Sequence, residues 1–288
     1  LWNDINKINK GGKKMAILMS ALTPHPPLAI PQIGRENREL VRNTIESMEE
    51  LAREIEAKKP DLLITISPHG PVFADAISIL DLEELEGDFA DFACPEVKIQ
   101  VRTEEGFIKK LKENAGREGI EVITLTEADL ARYRYPARLD HGVMVPLYFI
   151  LNTGLDVPVI PITMGLLEYE KLFRFGGVIE KTVEGLGLNV IIIASGDLSH
   201  RLKPGAPAGY NPYGEKFDQE LIDLLRKREY RAVLEMDPLV IEKAGECGLR
   251  PIIIMLGAIA RRNFSSEVKS YEGPFGVGYA VVGFYPED

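Results

Sequence analysis

Four histidines make up the whole imidazole complement of this 288-residue chain, and each stands at a turn marked by proline or glycine. His25 lies in Thr-Pro-His-Pro-Pro, His69 in Ser-Pro-His-Gly, His141 in Leu-Asp-His-Gly and His200 in Ser-Gly-Asp-Leu-Ser-His. Imidazole changes charge near neutral pH and is the commonest protein ligand for transition metals, so it serves either as metal donor or as proton acceptor. A single histidine of this kind is ordinarily a surface or packed residue. Four at stiffened turns, in a chain that has no others, are the makings of a preorganised site.

Two neutral imidazoles and one carboxylate on one face form the triad that holds non-haem Fe(II) and leaves positions open for substrate and oxygen. Carboxylates are abundant here, and the most conspicuous is Glu246 in Ala-Gly-Glu-Cys-Gly-Leu-Arg-Pro. Its neighbour Cys247 offers a thiolate instead, which would favour Zn²⁺ or a softer ion. Asp197, three residues before His200, is placed either to orient that imidazole or to cap a turn. Tyr210, Tyr213 and Phe217 are candidates for an aromatic pocket, with packing as their ordinary role.

The elements that would carry these residues alternate between strand-like and helix-like. Buried-type strands are predicted over residues 16–22 (AILMSAL), 61–67 (DLLITIS), 157–164 and 189–195 (NVIIIAS), a short one over 121–125 and a closing one over 276–285. Residues 76–80 and 96–101 are expected to pair antiparallel across an acidic loop. Helical spacing is predicted over 35–59, 103–114 with Thr103 as its cap, 142–151, 167–184, 215–228 and 251–262. Three of the four histidines follow predicted strands. If those strands are parallel, their carboxyl ends share one sheet edge, and that edge is where open α/β sheets bind ligands. One α/β domain in three layers, around a mostly parallel mixed sheet, is the expected fold.

Composition excludes several other classes. Forty-four acidic against 34 basic residues give a formal charge of −10, which opposes binding to nucleic acid or to anionic lipid. No apolar run reaches the length of a bilayer span, and two cysteines cannot build a disulfide framework. There is no Walker loop, dinucleotide fingerprint or nucleophile elbow. A cytoplasmic protein is expected. Residues 1–14 are polar and read as a translated leader or an N-terminal arm, with the domain running over 15–288.

Pro24-His25-Pro26, Ser67-Pro68-His69-Gly70, Asp140-His141-Gly142, Ser195-Gly196-Asp197-Leu198-Ser199-His200 and the Glu246 segment before Met255 together resemble the catalytic B subunit of class III extradiol ring-cleavage dioxygenases. The likeness to this LigB-like superfamily runs from about Met15 to the C-terminus, in the family's order. It implies an Fe(II) enzyme that opens a catechol-type ring with O₂. His25, His69 and Glu246 would then be the metal ligands, His200 the acid/base, and His141 a contact to substrate or oxygen. Asp197 would act beside His200. A homo-oligomer or a small A-type subunit is compatible with the resemblance. The superfamily also contains Memo proteins and relatives associated with the AmmeMemoRadiSam system, and Cys247-Gly248 resembles their cysteine segment. That opens a second reading, a Memo-like metal protein acting in peptide recognition or other redox chemistry. A zinc hydrolase is a third, since His/Glu sites also activate water on Zn²⁺.

Overall fold

A computed structural model describes residues 17–287. The leader or arm expected over residues 1–14 lies outside that range. The strands are β1 (Ile17–Thr23), β2 (Leu62–Ser67), β3 (Ile77–Leu80), β4 (Glu84–Phe89), β5 (Cys94–Arg102), β6 (Val122–Leu125), β7 (Val159–Thr163), β8 (Val190–Ser195), β9 (Phe264–Glu272) and β10 (Tyr279–Pro286). Eight of them form one sheet in the order β6-β3-β7-β2-β8-β1-β10-β9, and β4 and β5 form a separate hairpin.

The sheet's centre is a parallel block, with β7 beside β2, β2 beside β8 and β8 beside β1. Strand β10 runs antiparallel to β1, and β3 antiparallel to β7. The central strands read as unbroken apolar runs because both of their faces are covered. In β8, Val190, Ile192 and Ala194 enter one core with the helices Glu105–Arg117, Tyr169–Leu186, Tyr213–Lys227 and Leu249–Ile259. Ile191 and Ile193 enter the opposite core, with the helices Arg42–Lys58 and His141–Leu151 and the β4–β5 hairpin. That alternation makes the three layers, as expected for this α/β fold. Among the described residues no helix is long and apolar enough to cross a membrane.

Several local expectations are corrected. Residues 76–80 do not pair with 96–101. Strand β3 sits in the main sheet next to β6 and β7, and β5 pairs instead with β4, which forms inside the supposed acidic loop. The burial of Leu85, Gly87 and Phe89 on alternate positions shows why that segment is a strand despite its charges. The helix expected from Thr103 is capped by Glu104, whose carboxylate accepts the Gly106 N–H, while the Thr103 hydroxyl donates to the Leu82 carbonyl at 2.6 Å. Residues 35–41 are 3₁₀ rather than α, and regular helix begins at Arg42. Strand β9 was not anticipated, since its exposure alternates poorly at the sheet edge.

Candidate metal centre

The parallel block delivers its chain ends to one place. Strands β1, β2 and β8 stop at Thr23, Ser67 and Ser195, and His25, His69 and Asp197 each follow two residues later. His141 comes from a different element. Its helix, His141–Leu151, is capped by Asp140, whose carboxylate accepts the Val143 N–H and the Ser67 hydroxyl proton, so the helix start is tied to the end of β2. Gly142 is required there, because a Cβ would stand 2.5 Å from Ser67 Oγ.

The two imidazoles meet head-on. His25 Nε2 and His69 Nε2 are 3.0 Å apart, and His25 is only 2% exposed. His25 Nδ1 lies 3.0 Å from Ser195 Oγ, and the Ser195 hydroxyl donates its one proton to the Gly142 carbonyl. Ser195 Oγ must therefore accept from His25 Nδ1–H, which leaves a lone pair on Nε2 facing His69. The third donor is the sulfur of Cys247, 3.7 Å from His25 Nε2. Donor atoms of His25, His69 and Cys247 all lie within 4.8 Å of one another. Ion-to-donor distances of about 2.0–2.1 Å for imidazole and about 2.3 Å for thiolate span at most about 4.4 Å between nitrogen and sulfur, so the donors would close by a few tenths of an ångström around a single ion.

Cys247 reaches this position by a crossing of two loops. The Asp197 carbonyl accepts the N–H groups of Cys247 and Gly248, and Asp197 N–H donates to Cys247 Sγ at 3.3 Å. A Cβ on Gly196 would stand 2.2 Å from Gly248 Cα, so the approach demands glycine at 196, while a Cβ on Gly248 would press to 3.0 Å from the Asp197 carbonyl oxygen.

Glu246, the carboxylate expected as third ligand, is directed elsewhere. One of its oxygens accepts the Leu249 N–H at 2.6 Å, at the start of the helix Leu249–Ile259, and it is not a member of the donor cluster. The orphan amide of the helix start takes one of its two carboxylate oxygens. Tyr210 is 57% exposed, Tyr213 packs on the core and Phe217 is buried in it, and none of the three lines the cavity beside the cluster.

His200 and His141 flank the donors. His200 Nδ1 is 2.9 Å from the Gly245 carbonyl, which can only accept, so Nδ1 carries the proton and Nε2 is left as an acceptor, 3.9 Å from Asp197 Oδ2. Asp197 also accepts the His25 N–H at 2.9 Å. His141 stacks on His69 with ring centroids 4.3 Å apart, and Phe92 meets His141 edge-on.

Burial governs the electrostatics. It drives His25 well below the ordinary imidazole value, with the His69 charge adding to the effect. Burial and then His141 lower His69 to about 4, against the opposing Asp140 carboxylate. Burial likewise pushes Asp197 up to about 7 and raises the Cys247 thiol. Neutral imidazoles are the ligating form, and a cation at this spot would reverse the penalty on the thiolate. Beside the cluster a cavity of about 320 Å³ opens, with His69 and His141 in its wall.

The three-layer α/β fold places a His-His-Cys cluster able to hold a metal ion at the carboxyl-end edge of its parallel strands. Residues 19–282 match the family described as the catalytic LigB subunit of aromatic ring-opening dioxygenase, and the chain belongs to that family. Protein CA_C1420 of Clostridium acetobutylicum is 41% identical over 261 residues, which cover 91% of this chain and 56% of that protein. A MEMO1 family protein of Methanococcoides burtonii is 31% identical over 176 residues, 55% of this chain and 59% of the relative. The 2-aminophenol 1,6-dioxygenase beta subunit of a Pseudomonas species is 25% identical over 289 residues, 92% of this chain and 93% of the relative. The chain thus spans little more than half the length of the first two. Among solved structures, an uncharacterized protein of Escherichia coli K12, JW3007, shares the fold at a TM-score of 0.62 and 15% identity, over 92% of this chain and 99% of that one.

Proposed function

We propose that this protein is a metal-dependent dioxygenase that opens an aromatic ring carrying adjacent hydroxyl, or hydroxyl and amino, groups. The observation that carries the reading is the pairing of a three-donor cluster with His200, an imidazole outside the cluster whose free Nε2 faces the same site. Ring opening of this kind places both atoms of O₂ in the product and consumes no external reductant. A redox-active divalent ion, Fe(II) by the family's precedent, would supply Lewis acidity towards the ring oxygens and one-electron chemistry towards O₂.

The chain's own residues do the rest. Ser195 holds His25 in the tautomer that presents Nε2. The Gly245 carbonyl does the same for His200, so His200 Nε2 takes the proton of the second ring hydroxyl and later returns it. Asp197, between His25 and His200, accepts the His25 backbone N–H with its carboxylate, whose other oxygen lies 3.9 Å from the Nε2 of each imidazole. His141, stacked on His69 at the cavity wall, meets the bound ring or oxygen from the side.

Cys247 in the donor cluster favours a second reading, a Memo-like protein whose softer ion serves redox chemistry unrelated to catechols. Metal content after anaerobic purification, with oxygen uptake on catechols and 2-aminophenols, separates the two. Iron with ring-dependent oxygen uptake supports the dioxygenase. Copper or zinc with no uptake on any ring supports the second reading. Retention of stoichiometric metal by both His25→Ala and His69→Ala would sink either one.

A further inference from the structure

The cavity beside the paired imidazoles has an outer wall that takes no part in holding metal or moving protons. Its inner side is the stacked pair His69 and His141. Phe92, with its ring centroid 5.4 Å from that of His141, turns the space into a slot bounded by flat rings. The volume of about 320 Å³ suits a ligand of one ring with a short substituent.

The charges at the slot's mouth are unequal. Asp88 and Asp91 come from the end of β4 and the turn that follows it, and Arg138 faces them from the segment before Asp140. Arg138 Nη2 is 2.7 Å from Asp91 Oδ2, so that pair is neutral as a unit. Asp88 gives one carboxylate oxygen to the Ala90 N–H, and among the described residues no cation stands within ion-pair distance of it. Asp140 is turned inward, to Ser67 and its own helix. Lys98, opposite Asp88 in the β4–β5 register, does not close an ion pair with it, so the mouth carries an unpaired carboxylate, on a protein whose net charge is already −10.

We propose that the ring this slot receives bears a cationic amino substituent, directed outward to Asp88 and Asp91, and that a ring bearing a carboxylate at the same place is rejected. This rests on the slot being the substrate side of the metal centre. An ammonium group would replace water at Asp88 and share Asp91 with Arg138. A carboxylate would have to pull Arg138 from Asp91 and then sit beside two carboxylates, a repulsion that selects against the wrong ligand.

The test is calorimetric binding to the protein as isolated, without oxygen and near neutral pH, of benzylamine against benzoate and of the catechol counterparts of both. The first pair reads the charge of the slot alone, and the second adds the adjacent hydroxyls. Each amine is expected to bind at least about 10-fold tighter than its matching acid, a preference set by charge sign. Asp88→Asn, which keeps an acceptor for Ala90 N–H, should bring that ratio near unity, and adding Asp91→Asn, which leaves Arg138 unpaired, should reverse it. Arg138→Gln, which frees Asp91, should widen it. Acids binding as tightly as amines, amines that fail to bind, or a ratio indifferent to the three substitutions would each overturn the proposal. If benzylamine prevails over benzoate but added hydroxyls bring no gain, the charge selectivity stands and the ring-opening reading falls.

Discussion

The Nε2 atoms of His25 and His69 face each other at 3.0 Å although 44 residues separate the two in the chain. Two lone-pair-bearing nitrogens do not approach in that way for their own sake. Either a proton or a metal ion lies between them, and Ser195 removes one ambiguity by holding the His25 proton on Nδ1. Ser195→Ala should therefore weaken metal binding by about 10–100-fold, the usual effect of losing a partner that orients a ligating histidine. Competition with a chromophoric chelator measures it. Unchanged affinity would mean that something other than Ser195 sets the tautomer.

Cys247 and Glu246 are neighbours with separable effects. Cys247→Ser is expected to lose metal with little change in thermal stability. Glu246→Ala is expected to keep its metal and lose about 1 kcal/mol of stability, the ordinary worth of a carboxylate that satisfies a helix-start amide. Metal content and thermal melts on both variants decide the matter. Glu246→Ala without metal but with an unshifted melt would restore the carboxylate as the third ligand.

His200 stands outside the donor cluster, so His200→Phe should retain its ion yet lose turnover by about 10²–10⁴-fold, the range of general acid–base catalysis. Single-turnover ring opening with parallel metal analysis checks this. Loss of the ion with the imidazole would make His200 a ligand, and full activity would make it a bystander.

Asp218 predicts a pH dependence of stability. It is fully buried, accepts the Ser199 N–H and the Tyr271 hydroxyl proton at 2.8 Å each, and burial pushes its carboxyl up to about 7 from the ordinary 3.8. A group raised on folding favours the folded state most while it is protonated in both states. Its contribution is whole below about pH 4 and is lost as pH climbs through about 7. Asp218→Asn should flatten that decline, read by denaturant unfolding at several pH values. An identical slope in the variant would show that Asp218 does not titrate in this window.

Much of this architecture is legible in residue order. The unbroken apolar runs that became β1, β2, β7 and β8 announce central strands covered on both faces, and histidines just past three such runs point to one sheet edge. The β4–β5 hairpin was hidden because its exposed positions carry the acids of a loop, and only the burial of Leu85, Gly87 and Phe89 reveals a strand. Ser195 and Asp140 gave weaker signals, a serine ending a buried run and an aspartate before an apolar helix, and neither spacing names the partner it holds.

The choice between Glu246 and Cys247 lay beyond any local pattern. Both residues are plausible donors on adjacent positions, and their order along the chain says nothing of which side chain turns inward. The crossing of the Gly196 and Gly248 loops turns Cys247 towards His25, while the unsatisfied amide of Leu249 draws the Glu246 carboxylate to the helix start. Hydrophobic periodicity follows from covalent geometry repeated residue by residue, so residue order carries it. Donor selection depends on which of two hydrogen-bonding demands a side chain meets once distant loops are packed together, and only the folded chain makes that choice.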